Sequence, residues 1–463
     1  MYAIRQGRPF RRALLTAALL LVCLVASALT GAAAANAGRA SALTGSASEP
    51  IALLSMQAQL AAFYGGNYAA ANDCFGTSVA VSGDTAVVGA NYAAVGLNKD
   101  QGRAYVFTRS GTTWILQQTL TAADGAAGDC FGTSVAIAGD TALVSAVNSD
   151  EDSAGDYVDK GSTYVFTRNG TVWSQQQKLT AADGAAGDLF GGSVAISGDT
   201  ALVGADGAHV GLNRNQGAAY VFTGDGTVWS QQQKLTVAEG TYKEYLGSSV
   251  AISGDTALVG APTGGYVGDQ GAAYVFTRDG TVWNQKQKLT VAGGTYDDWF
   301  GCSVAISGDT VVVGAGNAKV GGKAGQGSAY VFTRNGTVWS QQLKLTAADG
   351  GWYDQFGCSA AISSNTVVVG AYYANLGAAF DDVGHQGAAY VFVRIGTVWS
   401  QQRKLTAPLP PKPGRSATRS PKGLVSSRTP TFRWTAAARA ASYELRVYRG
   451  RHLVKNVILV HCL

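Results

Sequence analysis

A Phe-Gly pair recurs through this 463-residue chain: Phe75-Gly76, Phe131-Gly132, Phe190-Gly191, Phe300-Gly301 and Phe356-Gly357, with Leu246-Gly247 standing once in its place. The spacings are 54 to 59 residues. A fixed period of this size means one supersecondary unit repeated, and missing it would miscall the whole fold. After each pair comes Ser-Val-Ala-Ile or a close variant, then Gly-Asp-Thr, then an apolar run ending in Val-Gly-Ala (Val203 to Ala205 is one case). A variable stretch leads to Tyr-Val-Phe, beginning at Tyr105, Tyr164, Tyr220, Tyr274, Tyr330 and Tyr390. A Trp segment closes each unit, with Trp114, Trp173, Trp229, Trp283, Trp339 and Trp399.

Turn chemistry predicts how these segments pair. Gly83, Gly139, Gly198, Gly254 and Gly308 each precede Asp between β-rich runs, and Ser364-Asn365 replaces them in the sixth unit. Gly tolerates the positive φ that a two-residue hairpin turn requires. Asn169-Gly170, Asp225-Gly226, Asp279-Gly280 and Asn335-Gly336 mark a second hairpin before the Trp segment. Each unit is therefore a four-stranded antiparallel meander. Runs such as Ala201-Leu202-Val203 are apolar on both sides, which a lone sheet cannot hide. Sheets stacked in a ring can. The expectation is an all-β fold, a β-propeller of four-stranded antiparallel blades over residues 51–407. Six blades are favoured, and seven would follow if the N-terminal segment and the tail together built another. Tyr, Phe and Trp at fixed offsets then read as packing between blades. Gln57 to Leu60 resembles the end of a Trp strand, so residues 51–61 are expected to add a fourth strand that clasps the ring.

The ends differ from the body. Arg5, Arg8, Arg11 and Arg12, the apolar run Ala13 to Leu29, and Ala35-Asn36-Ala37 have the anatomy of a secretory signal peptide over residues 1–37, followed by a linker over 38–50. The rival reading is an uncleaved membrane anchor. After cleavage no later segment is long and apolar enough to span a bilayer as a helix. Pro408 to Pro413 opens a stiff linker over 408–423. Residues 424–463, with Trp434, Tyr443 and Leu445, read as the opening strands of a fibronectin-III or immunoglobulin-like domain, but they are too few for a whole sandwich.

Charge is divided unevenly. Residues 51–407 hold 19 Lys+Arg against 28 Asp+Glu, a net of −9; residues 408–463 hold 11 against one, a net of +10. The acidic body argues against a nucleic-acid ligand. The chain has six cysteines and no C-x-x-C. Cys74, Cys130, Cys302 and Cys358 stand at equivalent places in different repeats, either as small buried fillers or as disulfide partners permitted by secretion.

The Phe-Gly openings and the Val-Gly-Ala strand ends, completed once as Gly-Ala-Pro at Pro262, resemble FG-GAP repeats. That resemblance covers residues 51–407 and is most like the bacterial branch. It implies an integrin-α-like propeller that engages a protein or carbohydrate through loops on one face. Integrin-type repeats often hold calcium in a D-x-D-x-D-G loop between the first two strands. Here only a Gly-Asp turn stands there, too short to offer six or more oxygen ligands, so no metal and no cofactor is expected. Asp84, Asp140, Asp199, Asp255 and Asp309 are read as turn residues. The acidic insert Asp150, Glu151, Asp152, Asp156 and Asp159 is either a cation site or a solvated loop.

In a meander the loops between strands two and three share one face with the connections between units. Nearly all the sequence variation lies in these segments, so a ligand is expected there. The candidate ligand-binding residues are Tyr242, Tyr245, Tyr266, Tyr296, Trp299, Trp352, Tyr353, Tyr372 and Tyr373, aromatics with polar handles. The alternative is that they merely cover the end of the ring. An acid lies two residues before each Phe-Gly, at Asp73, Asp129, Asp188, Glu244, Asp298 and Asp354. These either line a channel or cap turns. His209, His385, His452 and His461 lie in no metal spacing, and no nucleophile motif accompanies them. No catalytic residue is assigned. The chain reads as a secreted or cell-surface recognition and adhesion scaffold. A structural spacer is the alternative, and a secreted hydrolase or lyase the more distant one.

Overall fold

The computed structural model describes residues 73–149, 160–263, 270–374 and 387–406, together with the backbone of strands Tyr443–Arg449 and His452–Leu459. The expected signal peptide, the clasping strand at 51–61, the acidic insert at 150–159, Tyr266 and the Pro-rich linker lie outside these residues. The described part of residues 1–406 is all β: six four-stranded antiparallel meanders arranged as the blades of a propeller. The two C-terminal strands pair as a separate antiparallel hairpin.

Blade 3 shows why these residues make this sheet. Its strands are Ser193–Ser197, Thr200–Ala205, Ala218–Gly224 and Trp229–Leu235, hydrogen-bonded in sequence order. Gly198 has φ +57° in the first turn, the left-handed geometry the Gly-Asp signal foretold. The second strand is buried along its whole length. Pleating sends its side chains to both faces, so burial of every residue requires a neighbouring sheet on each side.

Those neighbours are the adjacent blades. The first strands of consecutive blades pack on one another from blade 1 through blade 6. Between blades 1 and 2, Val87, Ala104, Val106 and Leu120 meet Phe131, Val144, Tyr164, Phe166 and Trp173 in one buried cluster. Equivalent clusters form at the next four junctions. The leading face of blade 1 forms a cluster of its own, with Phe75, Val88, Tyr105 and Phe107. The repeated aromatics do the packing expected of them. Phe131 lies edge-on to Tyr164 at 5.6 Å and to Phe166 at 6.0 Å, and the same triad recurs in blades 1, 3, 5 and 6.

The two glycines that define the repeat meet across blades. A Cβ on Gly204 would overlap the carbonyl of Gly247, and Ser193 Oγ donates to that same carbonyl at 2.7 Å. Backbones this close leave little room for a side chain, so glycine holds this strand position in five of the six units, and blade 2 places the small Ser145 there.

The turn aspartates do more than shape a turn. Arg109 Nε donates to Asp84 Oδ1 at 2.7 Å, and the guanidinium lies over the Trp114 ring at 5.6 Å. Arg168 pairs with Asp140 and also donates across the junction to Thr85 Oγ1 at 2.8 Å. Arg278 and Arg334 repeat both bonds, while Arg394 uses Asn365 in blade 6. Arginine's planar fork suits this double duty, which the turn reading alone did not foresee.

Candidate functional site

The long-loop face is built from two sets of segments that brace each other. In blade 1 the loop after the second strand folds into a small hairpin, with Val95 and Asn98 exchanging backbone hydrogen bonds at 3.0 Å. Asn98 Nδ2 donates to Gln101 Oε1 at 2.9 Å and to the Gly125 carbonyl in the connection to blade 2. Blade 3 repeats this with Val210, Asn213, Gln216 and the Gly240 carbonyl. In blade 5 Lys323 Nζ reaches the Gly350 carbonyl instead. Each described long loop of this kind is thus tied to the connection that follows it.

The tips of the first two hairpins carry Leu97 and Leu212, both fully exposed. They were not among the sequence candidates. The signal was present, since Gly-Leu between Val and Asn is a two-residue hairpin turn with Gly at its first position.

The connections between blades are shaped by their buried acids. Asp188 Oδ2 accepts from the Ala185 N–H at 2.9 Å, and Asp129, Glu244, Asp298 and Asp354 accept from the residue three before them in the same way. The channel alternative is thereby set aside for these five: their carboxylates are turn caps. Nearby, Asp183 accepts from Tyr220 Oη at 3.0 Å and from Lys234 Nζ at 2.6 Å. Burial opposes its charge, but these two donors outweigh burial and hold the carboxyl below its usual range. Asp124 and Asp349 are lowered by the same arrangement. Burial, with the adjoining carboxylate, pushes the Tyr220 and Tyr390 phenols up.

Two backbone positions in each connection are left-handed. One immediately precedes the Phe-Gly pair. Cys74, Cys130, Leu189, Tyr245, Trp299 and Gln355 all adopt it, with φ between 53° and 59°. Tyr245 and Trp299 therefore share a conformation common to every repeat, and both are half-buried. Trp299 Nε1 donates to Asp297 Oδ1 at 2.7 Å.

The other position lies two residues earlier. It is Gly128 and Gly187 in the first two connections but Lys243, Asp297 and Tyr353 in the next three. A side chain there costs about 1 kcal/mol or more that glycine avoids. Tyr353 has φ +59° and is 57% exposed. Its ring lies 6.4 Å from that of Trp352, also exposed.

Tyr372 and Tyr373 follow the second strand of blade 6, with rings 4.1 Å apart and both half-buried. The Tyr373 N–H donates to the Asp354 carbonyl at 3.3 Å, joining this pair to the connection that bears Trp352 and Tyr353. The structure thus gathers four of the nine candidates at the start of blade 6. Tyr242 and Tyr296 are exposed on the two preceding connections. Among the described residues, no group of three His, Cys, Asp or Glu side chains is placed to hold a metal. Cys302 and Cys358 are half-buried residues with free thiols, and desolvation of the sulfur pushes them up to about 11 and about 12.

A profile of a family described as FG-GAP repeat matches residues 67–107, 114–166, 173–222, 229–276, 283–332 and 339–392, more than half of the chain. No curated protein matches it.

Proposed function

The chain belongs to the FG-GAP repeat family, and we propose that it is a secreted or cell-surface recognition scaffold with no catalytic role, binding a protein or carbohydrate on its long-loop face. One observation carries this reading. Lys243, Asp297 and Tyr353 occupy left-handed positions that the first two connections give to glycine. Strain of this kind persists where the displayed side chain has a use. The same three connections hold the exposed aromatics Tyr242, Tyr296, Trp352 and Tyr353, whose rings give contact area at low entropic cost.

The face suits binding for a second reason. Its loops are cross-tied by Asn98, Asn213 and Lys323, so their ordering cost is met before a ligand arrives. The test is a screen of the full chain on glycan and extracellular-protein arrays, repeated with Trp352→Ala and Tyr353→Gly. Saturable binding that falls at least tenfold in both variants supports the proposal. Binding that neither variant changes overturns the assignment of this patch, and no saturable binding at all returns the chain to the spacer reading.

A further inference from the structure

The fourth strand of each blade is the outer edge of its sheet, and a bare edge is a template for another strand. At four of the five described junctions this edge is capped by a side chain. Gln118 donates to the Trp173 carbonyl at 2.7 Å and accepts from the Trp173 N–H at 2.8 Å. Gln177, Gln233 and Gln287 do the same to Trp229, Trp283 and Trp339. The amide occupies the place of a neighbouring strand's peptide group.

Among the described residues the junction between blades 5 and 6 lacks this cap, because Leu343 stands where the glutamine would be. Ile395 and Val398 close the last hairpin, so the next pair, Arg394 and Trp399, turns its peptide groups of Trp399 outward. The rim beside them is apolar. Leu343 is 36% exposed, Val398 65% and Ile395 76%. Ile395 sits where blades 2, 4 and 5 place Asn or Asp in the same turn. Arg403 replaces the glutamine of blade 6 and has no ion-pair partner among the described residues.

We propose that the strand Val398–Leu405 pairs antiparallel with the same strand of a second copy of this chain, giving a two-fold dimer. The outward groups set the register: Trp399 faces Gln401 of the second copy, with Ser400 on the axis. Arg403 then falls opposite Thr397 and Lys404 opposite Gly396, so no like charges meet. A two-fold contact must be self-complementary, and this one is. It joins two four-stranded blades into one sheet and sets Val398 opposite Gln402 of the second copy. It does not depend on the ligand reading of the long-loop face.

Sedimentation velocity on the full chain, up to about 100 μM, tests this by mass action. The expected result is a concentration-dependent dimer. Leu343→Gln, which restores the cap seen at four junctions, and Val398→Lys should each raise the dimer Kd at least tenfold without lowering the melting temperature. Hydrogen exchange at Trp399 and Gln401 should slow on dimerisation. A chain monomeric throughout the range, or a dimer indifferent to both substitutions, overturns the proposal.

Discussion

Gln177 grips the backbone of Trp229 in the next blade with both ends of its amide, Nε2 to the carbonyl at 2.7 Å and Oε1 from the N–H at 2.8 Å. A polar surface-strand residue is thereby a rivet between sheets. Removing it leaves two part-buried peptide groups to water. Gln177→Leu should destabilise the propeller by about 1–2 kcal/mol. Urea unfolding measures this, and an effect within error would mean that solvent replaces the amide without cost.

The meeting of the two signature glycines allows a contrast within one blade. Gly204→Ala forces a Cβ into the Gly247 carbonyl, so one of the two backbones must shift. Gly198→Ala meets open space and pays only for its left-handed φ. The first substitution should cost about 3 kcal/mol or more and the second about 1 kcal/mol. Equal losses in thermal melts would show that the close approach is not what holds the blades.

Stability and binding should separate at Tyr353. Tyr353→Gly relieves a left-handed tyrosine and is expected to stabilise the chain by about 1 kcal/mol. It should at the same time weaken any ligand bound on the long-loop face. A destabilised variant in chemical unfolding would mean that the ring packs more than it displays.

Acid should loosen the connections between blades. The folded carboxyls of Asp124, Asp183 and Asp349 lie below their usual range. Groups shifted in this direction contribute stability above the unfolded carboxyl pKa, near 3.9, and lose it as pH falls through and below that value. The triple Asp→Asn variant should melt earlier at pH 7 and show a shallower fall in Tm between about pH 5 and pH 2. Parallel curves for the two proteins would exclude these lysine-paired carboxylates as the source.

Burial should silence the two thiols of blades 5 and 6. With Cys302 and Cys358 pushed up to about 11 and about 12, iodoacetamide at pH 8 should leave both unmodified in the folded chain. Both should react on unfolding in urea. Rapid native alkylation, read by mass spectrometry, would place the thiols at the surface.

The blades were legible because repetition averages away local ambiguity. One Gly-Asp turn is a weak signal, but the same turn at Gly83, Gly139, Gly198, Gly254 and Gly308, each before an apolar run, admits one pairing. The aromatic triads followed from the fixed offsets of the Phe-Gly phenylalanine and the Tyr-Val-Phe run. The candidate site was only partly legible. Composition pointed to Trp352, Tyr353, Tyr372 and Tyr373 but did not say that they gather at one blade. Leu97 and Leu212 were passed over because exposed leucines carry no chemical flag.

By itself the amino-acid order determined the unit: four strands, their turns, and two apolar faces that demand neighbours. These depend on contacts within a few tens of residues and on periodicity, which a linear reading captures. Only the tertiary structure decided what passes between units, namely which glutamine reaches which tryptophan backbone, which arginine crosses to which threonine, and which carboxylates are turned inward as caps. The glutamine and arginine partners lie 50 or more residues apart. Their pairing depends on the angle between stacked sheets, a quantity no single segment encodes.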